Sequence, residues 1–230
     1  AHEHNVPFHT DAVQAYAHIP LDVDKLGVDA LSVSAHKFHG PKGVGFLYCK
    51  RGLKTEPLIS GGAQERGYRA GTENLAGIIG MTAAVQLAFG KKGFEPTEAE
   101  ALFAMETASA HVRTLHNKMQ QFICANIPNV QVNNCGNRCL PGILSVSFKG
   151  VSGEALLALL DQQGVCASAG SACASGSLEP SHVLTAMGVQ HEWLRGTVRF
   201  SLSALTTEAE VEKACEILRE AVRHLRAVSA

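Results

Sequence analysis

Residues 32–45 read "SVSAHKFHGPKGVG". The apolar, β-branched run "VDALSVSAH" that leads into this stretch predicts a short buried strand, and the Gly/Pro-rich turn after it predicts where the strand ends. Lys37 therefore stands at a strand end. There it is either an ordinary surface lysine or a partly desolvated amine that can attack an aldehyde. Ser34 and His36 beside it are donors suited to a phosphate.

The segments on both sides of this stretch predict a layered α/β domain. "VPFHTDA" and "GVGFLYCK" indicate two further strands, and the intervening "AVQAYAHIPLDVDKLG" predicts a helical or irregular crossover. Strands that alternate with covering segments are typical of α/β architecture. "GTENLAGIIGMTAAVQLAFG" then predicts an Ala-rich helix that is buried on several sides.

The rest of the chain predicts a smaller α+β unit. Thr97 and Glu100 form a capping box before a helix that extends to about Cys124 and carries an apolar stripe. "GILSVSFKG" and "GTVRFSLS" alternate like strands, and "SGEALLALLDQQG" predicts a helix that Gly164 ends. A second capping box opens the C-terminal helix. We place the boundary in the seam "GKKGFEP", which divides the chain into 1–92 and 93–230.

Composition excludes several classes of protein. The 230 residues are 46% hydrophobic with a net charge of −1, which gives no argument for nucleic acid or an anionic membrane as a partner. No apolar run approaches the roughly 18 residues that a transmembrane helix needs. Seven cysteines, an odd number without a C-x-x-C pair, favour a reducing, intracellular setting over a disulfide framework. The chain starts without a methionine, so we expect a processed chain or a fragment.

Three segments outside the lysine stretch carry residues that could bind a ligand. Asp11 in "HTDAVQA" is either a helix N-cap or a carboxylate for the ring nitrogen of a pyridoxal cofactor, and Gln14 could then reach the ring hydroxyl. Arg199 in "TVRFSLS" either faces an anion or lies on the wet face of an edge strand. "GGAQERGYRAGTEN", which contains Thr72, is either an anion site before a helix or an irregular surface loop.

Cys173 is the cysteine most suited to reaction. It lies in "SAGSACASGSLEPSH", a run of small residues that predicts a mobile loop with an exposed thiol. Cys49, Cys124 and Cys215 lie in strand or helix patterns and are expected to be structural, and Cys166 is expected in the core. A metal site at the three N-terminal histidines, His2, His4 and His9, is possible on the sequence, but solvation at a chain end explains them, and no metal is predicted.

Together these motifs resemble the cysteine desulfurases, the NifS/IscS-like branch of the fold-type I pyridoxal-phosphate enzymes. The matching pieces, in family order, are "HTDAVQA", "SAHKFHGPKGVG", "ERGYRAGTEN", "SAGSACASGSLEPSHVL" and "VRFSLS". The resemblance implies the C-terminal part of the large cofactor-binding domain, a mixed, mostly parallel sheet with helices, followed by the smaller α+β domain. The cofactor is then pyridoxal 5′-phosphate.

The resemblance also implies a role for each matching residue. Lys37 would hold the cofactor as a Schiff base and move the substrate α-proton. The nucleophile that takes sulfur as a persulfide would be Cys173. The remaining residues would bind the ring, the phosphate or the substrate carboxylate: Asp11 the ring nitrogen, Gln14 the ring hydroxyl, Ser34 and His36 the phosphate, Thr72 the phosphate of the neighbouring subunit, and Arg199 the α-carboxylate.

The partners that the resemblance implies are L-cysteine, a sulfur-acceptor or iron–sulfur scaffold protein, and a second copy of the chain. Roughly the first 170 residues of the family precede Ala1, so we expect a complementing N-terminal chain. A cytoplasmic or organellar-matrix location fits the cysteine content. Selenocysteine lyase, or a related enzyme with the same cofactor, is the alternative enzyme. A non-catalytic half that only carries sulfur or binds a scaffold is the alternative outside enzymes.

Overall fold

The chain has an α/β fold that divides into two compact units. The computed structural model describes residues 1–90, 97–133, 139–169 and 181–229. The units are Ala1–Thr107 and Ala108–Ala230, and they part within a long helix. The predicted boundary near residue 92 lies outside the described residues, so the division into 1–92 and 93–230 remains a prediction.

The first unit contains a three-stranded sheet with the order β1-β2-β3. The strands are β1 (His9–Asp11), β2 (Ala30–Ser34) and β3 (Gly45–Cys49). β1 and β2 are parallel, with Asp11 opposite Ser32, whereas β3 is antiparallel to β2 and places Gly45 opposite Ser34. All three strands lie where the sequence predicts them.

The crossover between β1 and β2 is mostly irregular. Residues 13–18 form turns, and the single-turn helix α1 (Val23–Leu26) follows, capped by the Asp22 side chain. Tyr16 lies in this crossover and makes edge contacts with Phe38 and Phe46. The crossover therefore covers one face of the sheet with an aromatic cluster.

The helix α2 (Leu75–Ala88) forms as predicted, but the prediction that it is buried on several sides is wrong. Within the described residues only Gly77 and Ala84 of this helix are buried. Leu75, Ile79 and Leu87 are between 67% and 82% exposed. The sequence is apolar around the whole helix, so it carries no signal for which face meets the sheet.

The second unit packs helices against an antiparallel sheet with the order β4-β5-β6. None of the helices in the described ranges is long and apolar enough to cross a membrane. The elements are α3 (Glu98–Asn126, which begins in the first unit), β4 (Val130–Val132), β5 (Ile143–Phe148), α4 (Gly153–Gln162), α5 (His182–Ala186), α6 (His191–Leu194), β6 (Thr197–Ser201) and α7 (Glu208–Ser229).

Alternation along the strands separates an apolar from a polar face of this sheet. Leu144, Val146 and Phe148 of β5 are fully buried and join Val198 and Phe200 of β6 in one core. The stripe of α3 and the inner face of α7 pack against the same core. Because side chains alternate in a strand, Ser145, Ser147, Thr197 and Arg199 must share the opposite face.

Both predicted capping boxes are present. The Thr97 N–H donates to Glu100 Oε2 at 2.8 Å, and the Thr207 N–H donates to Glu210 Oε2 at the same distance. The return bonds, from the N–H of each glutamate to the threonine hydroxyl, are 3.3 Å long. The Thr207 N–H and hydroxyl, which both donate to Glu210 Oε2, also hold the pKa of Glu210 below its ordinary value.

One arginine of α7 ties together two loops of the second unit. Arg226 donates to the carbonyl oxygens of Pro128 at 2.8 Å and Asn129 at 3.1 Å, and from two nitrogens to that of Lys149 at 3.0 and 3.2 Å. These carbonyls lie just before β4 and just after β5. The planar guanidinium therefore satisfies three main-chain acceptors at once.

We expect Arg226→Ala to lower the free energy of unfolding by about 2 kcal/mol, because hydrogen bonds from a charged donor contribute more than neutral ones. Arg226→Lys should recover less than half of the loss, since an ammonium group lacks the fork. Urea unfolding followed by circular dichroism measures the change. Arg223→Ala is the matched control, because Arg223 contacts the exposed Glu220 and such pairs contribute little. Equal losses for Arg223→Ala and Arg226→Ala would contradict this account.

Candidate functional site

Asp11 and Lys37 follow from two neighbouring parallel strands. Asp11 is the last residue of β1, and Lys37 comes three residues after the end of β2. The Ala12 N–H donates to the Ser32 carbonyl at 2.9 Å, which extends the pairing past the end of β1. The carboxyl ends of parallel strands meet at one edge of a sheet, where α/β proteins commonly bind ligands. The carboxylate and the amine therefore belong to the same edge.

A single 3₁₀ turn, Ala35–Phe38, carries Lys37. Ala35 and Phe38 of this turn are buried in the core of the first unit, and the Gly40 N–H closes the turn on the Ala35 carbonyl at 2.9 Å. A Cβ at Gly40 would lie 2.8 Å from that of Ala35, so only glycine fits there. The turn is fixed at both ends while the Lys37 side chain stays half-buried.

His18 adds a further restraint that the sequence did not indicate. Its Nε2 lies 3.1 Å from the Lys37 carbonyl oxygen, and because a carbonyl can only accept, Nε2 is the donor. Among the described residues no carboxylate lies within 4 Å of the Lys37 ammonium. The backbone of Lys37 is thus held in place by a contact from the crossover.

Ser34 and His36 lie on one wall of a cleft of about 440 Å³. Ser34 Oγ is 2.8 Å from His36 Nδ1, so this bond orients the imidazole and leaves Nε2 for another partner. The remaining walls come from Lys42, Gly43, Val44 and Gly45. A hydroxyl, an imidazole and an ammonium around one cleft form a donor set that suits a phosphate. Lys42 was not singled out from the sequence.

The structure bears on one of the two roles predicted for Asp11, the capping role, and leaves the binding of a ring nitrogen as a prediction. Its Oδ1 accepts a bond from the Val13 N–H at 2.8 Å, which is a turn-capping role, although turns rather than a helix follow. Within the described ranges no other donor contacts this carboxylate, so the second oxygen can take a ring nitrogen. Gln14 is exposed beside it.

Thr72 is exposed and lies three residues before α2. The N-cap of α2 is Asn74, whose side chain accepts from the Gly77 N–H at 3.0 Å. Thr72 is therefore not used to cap the helix. Gln64 Oε1 accepts from the Gly71 N–H at 3.1 Å and holds the loop before Thr72.

Arg199 lies in the second unit, on the polar face of β6. It is opposite Ser145 of β5, and on its other side its N–H donates to the Ser168 carbonyl at 2.6 Å. The Arg199 Nε is buried and has no hydrogen-bond partner among the residues that the structure describes. A buried guanidinium N–H without an acceptor is costly, so this atom favours a site for an anion.

Two further predictions concern reactive or metal-binding groups. Cys173 lies outside the described residues, and its place in a mobile loop remains a prediction. His2 Nε2 is 2.7 Å from Asp29 Oδ2, and His9 Nε2 is 2.7 Å from Ser32 Oγ. In the part of the chain that the structure describes, no three His, Cys, Asp or Glu residues are grouped to hold a metal ion.

The described cysteines differ from the sequence expectation at two positions. Cys166 is exposed rather than in the core, because the segment around it forms a single bridge at Ser168 instead of a buried strand. Cys124 is also exposed, on the outer side of α3. Cys215 is buried as expected, and its burial raises the pKa of its thiol to about 11.

The family model described as "Aminotransferase class-V" matches residues 1–214. A cysteine desulfurase from Trichormus azollae is 45% identical over 227 residues, which cover 99% of this chain and 54% of that protein. A cysteine desulfurase from Klebsiella pneumoniae is also 45% identical, over 229 residues, with 54% of its length covered. The chain spans about half the length of the curated relatives it matches.

Solved structures agree with these relatives. A structure titled "NifS-like protein" superposes with a TM-score of 0.81 at 35% identity, covering 96% of this chain and 53% of that one. Another, titled "SspA in complex with cysteine", has a TM-score of 0.65 at 32% identity, with 90% of this chain and 53% of that one covered. Both have the same fold as this chain.

Timed alkylation should separate the described cysteines. With iodoacetamide at pH 8, Cys124 and Cys166 should be modified well before Cys215, whose thiolate fraction at that pH is on the order of one in a thousand for a pKa near 11. Peptide mass spectrometry measures the three rates. Raising the pH toward 11 should speed the reaction of Cys215, and unfolding in urea should abolish the difference. A Cys215 that reacts as fast as Cys166 in the folded chain would contradict the burial.

Proposed function

The chain belongs to the class-V aminotransferase family, and on that premise we propose that it is the C-terminal part of a cysteine desulfurase. The reaction converts L-cysteine to L-alanine and leaves the sulfur on an enzyme cysteine as a persulfide. The observation that carries this proposal is the common sheet edge of Asp11 and Lys37, which follow the carboxyl ends of two paired parallel strands.

The residues at this edge fit pyridoxal 5′-phosphate. Asp11 offers a carboxylate oxygen for the ring nitrogen, Gln14 is exposed near it for the ring hydroxyl, and Ser34 with His36 lines a cleft of phosphate donors. Lys37 supplies the amine for the aldehyde. When bound, the cofactor serves as an electron sink for chemistry at the substrate α-carbon. We assign proton transfer at that carbon to the Lys37 amine.

Arg199 is the residue we assign to the substrate α-carboxylate. A guanidinium fork binds a carboxylate through two parallel hydrogen bonds, and the buried Nε of Arg199 has no acceptor in the described residues. A carboxylate would satisfy it. The structure titled "SspA in complex with cysteine" supports L-cysteine as the amino acid.

Cys173 is the nucleophile in this proposal. The Cys173 thiolate attacks the substrate sulfur and forms a sulfur–sulfur bond. The bond between this sulfur and the substrate β-carbon breaks, and the electron pair of the broken bond stays on the β-carbon. Protonation of that carbon gives alanine. Ser168 is bridged to Arg199, and five residues of extended chain span at most about 18 Å. This short separation in sequence from a residue beside Arg199 supports the choice of Cys173.

The proposal includes three partners. An N-terminal chain would supply the half of the relatives' length that this chain does not span, and it would cover apolar side chains such as Leu75 and Ile79, which are exposed here. A second copy would receive Thr72 at its phosphate, which makes the protein a homodimer with shared sites. A sulfur-acceptor or iron–sulfur scaffold protein would take the persulfide sulfur, in the cytoplasm or an organellar matrix.

Replacing the nucleophile should stop sulfur transfer while cofactor binding continues. In the protein isolated with its N-terminal chain, we expect Cys173→Ser to reduce alanine release from L-cysteine by at least roughly 10³-fold, because serine is a far weaker nucleophile toward sulfur. The near-visible absorption of the bound cofactor should persist. Amino-acid analysis and persulfide labelling measure the two products.

Cys166→Ser is the matched control, since Cys166 is exposed seven residues earlier and has no assigned role. It should retain full activity. Normal alanine release by Cys173→Ser would overturn the assignment of the nucleophile. Native mass spectrometry of the same active sample should find a second polypeptide, and an active sample that contains only the 24.4 kDa chain would rule out that partner.

A further inference from the structure

Arg199 stands in a row of polar residues that crosses the second sheet. The Asn133 N–H donates to the Ser145 carbonyl at 2.8 Å, Ser145 is opposite Arg199, and Arg199 is bridged to Ser168. Cβ atoms of directly opposite residues lie about 4.5–5.5 Å apart in antiparallel sheets. Ser145 and Ser168 are therefore the immediate neighbours of Arg199 on its two sides.

A second row of polar residues runs beside the first, and its members form a continuous series of hydrogen bonds. Asn133 Nδ2 donates to Ser147 Oγ at 2.8 Å, Ser147 Oγ is 2.7 Å from Thr197 Oγ1, and Thr197 Oγ1 donates to the Trp193 carbonyl at 3.3 Å. An amide NH₂ only donates and a carbonyl only accepts. In this series of hydrogen bonds each hydroxyl therefore donates toward the Trp193 carbonyl. The hydroxyl hydrogens of Ser147 and Thr197 are thus both committed.

Every residue in these rows other than Arg199 is neutral. Asn133, Ser147 and Thr197 are buried, and no Asp or Glu among the described residues lies within ion-pair distance of Arg199. Elsewhere in the same unit, arginines on exposed helix faces do pair with acids, as Arg219 does with Glu216. Within the described ranges, the half-buried guanidinium of Arg199 therefore has amide and hydroxyl neighbours on this sheet face and no acidic partner.

We propose that Ser145 is a specificity-determining residue for the anion that Arg199 binds. A small neutral side chain at this position places no acid beside the Arg199 Nε, which has no partner among the described residues, and the Asn133 Nδ2, 3.4 Å from Ser145 Oγ, holds that hydroxyl in the row. An acid here would neutralise Arg199 from within the sheet and exclude an external carboxylate. The identity of that carboxylate as the substrate α-carboxylate rests on the proposed function.

The test places a carboxylate beside Arg199. In the protein with its N-terminal chain, Ser145→Asp should raise the KM for L-cysteine at least tenfold and leave kcat within about twofold. The reason is that binding of the substrate carboxylate is weakened by the same amount in the ground state and in the transition state. The pKa of the introduced carboxyl, followed by NMR, should fall well below the ordinary 3.9. It should return to the ordinary value in Ser145→Asp combined with Arg199→Gln.

Three further variants keep the test decisive. Ser152→Asp makes the same change at the N-cap of α4, where Asp caps as well as Ser, and should leave KM unchanged. Ser145→Ala removes the hydroxyl without adding charge and should change KM less than threefold. Ser168→Asp places the acid on the other side of Arg199 and serves if Ser145→Asp fails to fold.

The outcomes separate the inference from the proposed function. An introduced carboxyl with an ordinary pKa that Arg199→Gln does not alter overturns the inference, as does an unchanged KM. If the pKa of the introduced carboxyl is lowered but the protein never releases alanine, the inference about the neutral row is supported and the proposed desulfurase activity is refuted. A tenfold higher KM with a lowered pKa supports both.

Discussion

The parallel pairing of β1 with β2 is the constraint on which the first half of the site depends. Asp11 is in register with Ser32, and this register brings the end of β1 to the turn that starts after Ser34. A shift of one residue would turn every side chain of β1 to the other face of the sheet. Ala12, which directly follows β1 and is buried in the core, opposes such a shift because it would be turned out of the core. Core packing thus holds the end of β1 and the turn that carries Lys37 at one edge of the sheet.

In the second unit, the alternation of side chains along β5 and β6 positions the candidate site residue. β5 and β6 bury alternate side chains in a core of aliphatic residues and Phe148, which leaves the other face of the sheet to polar groups. On that face hydroxyls and an amide bond to one another, and Arg199 Nε has no partner in the part of the chain that the structure describes. The unpaired atom is a consequence of strand alternation and of neutral neighbours. The same two strands therefore contribute to the core with one set of side chains and present Arg199 with the other.

Patterns with a local cause were predictable from the sequence. All three strands of the first unit, β5 and β6, and both capping boxes lie at the predicted residues, since alternation and hydrogen-bonded caps are decided within a few residues. The Gly/Pro turn after Lys37 also follows from local chemistry. The resemblance to the desulfurases rested on such local motifs, and the family match over residues 1–214 confirms the family.

Features that depend on neighbours distant in sequence were not predictable. The exposed face of α2 is one, because both the exposed Ile79 and the buried Ala84 are apolar, and only packing decides which of them is covered. Cys166 is another, since its segment resembles a strand but pairs only at Ser168. The contacts of His18 with Lys37 and of Asn133 with Ser147 join residues at least 14 positions apart, and no periodicity indicates them.

The central claim is that Lys37 is the amine that holds pyridoxal phosphate at the edge shared with Asp11. Borohydride reduction of the protein with bound cofactor, followed by protease digestion and peptide mass mapping, tests it directly. The account predicts one reduced pyridoxyl group per chain, on the peptide that contains Lys37, and its loss in Lys37→Ala but not in Lys54→Ala. A label on Lys42 or elsewhere in the chain would contradict it, as would a failure to take up cofactor in the presence of the N-terminal chain that we propose.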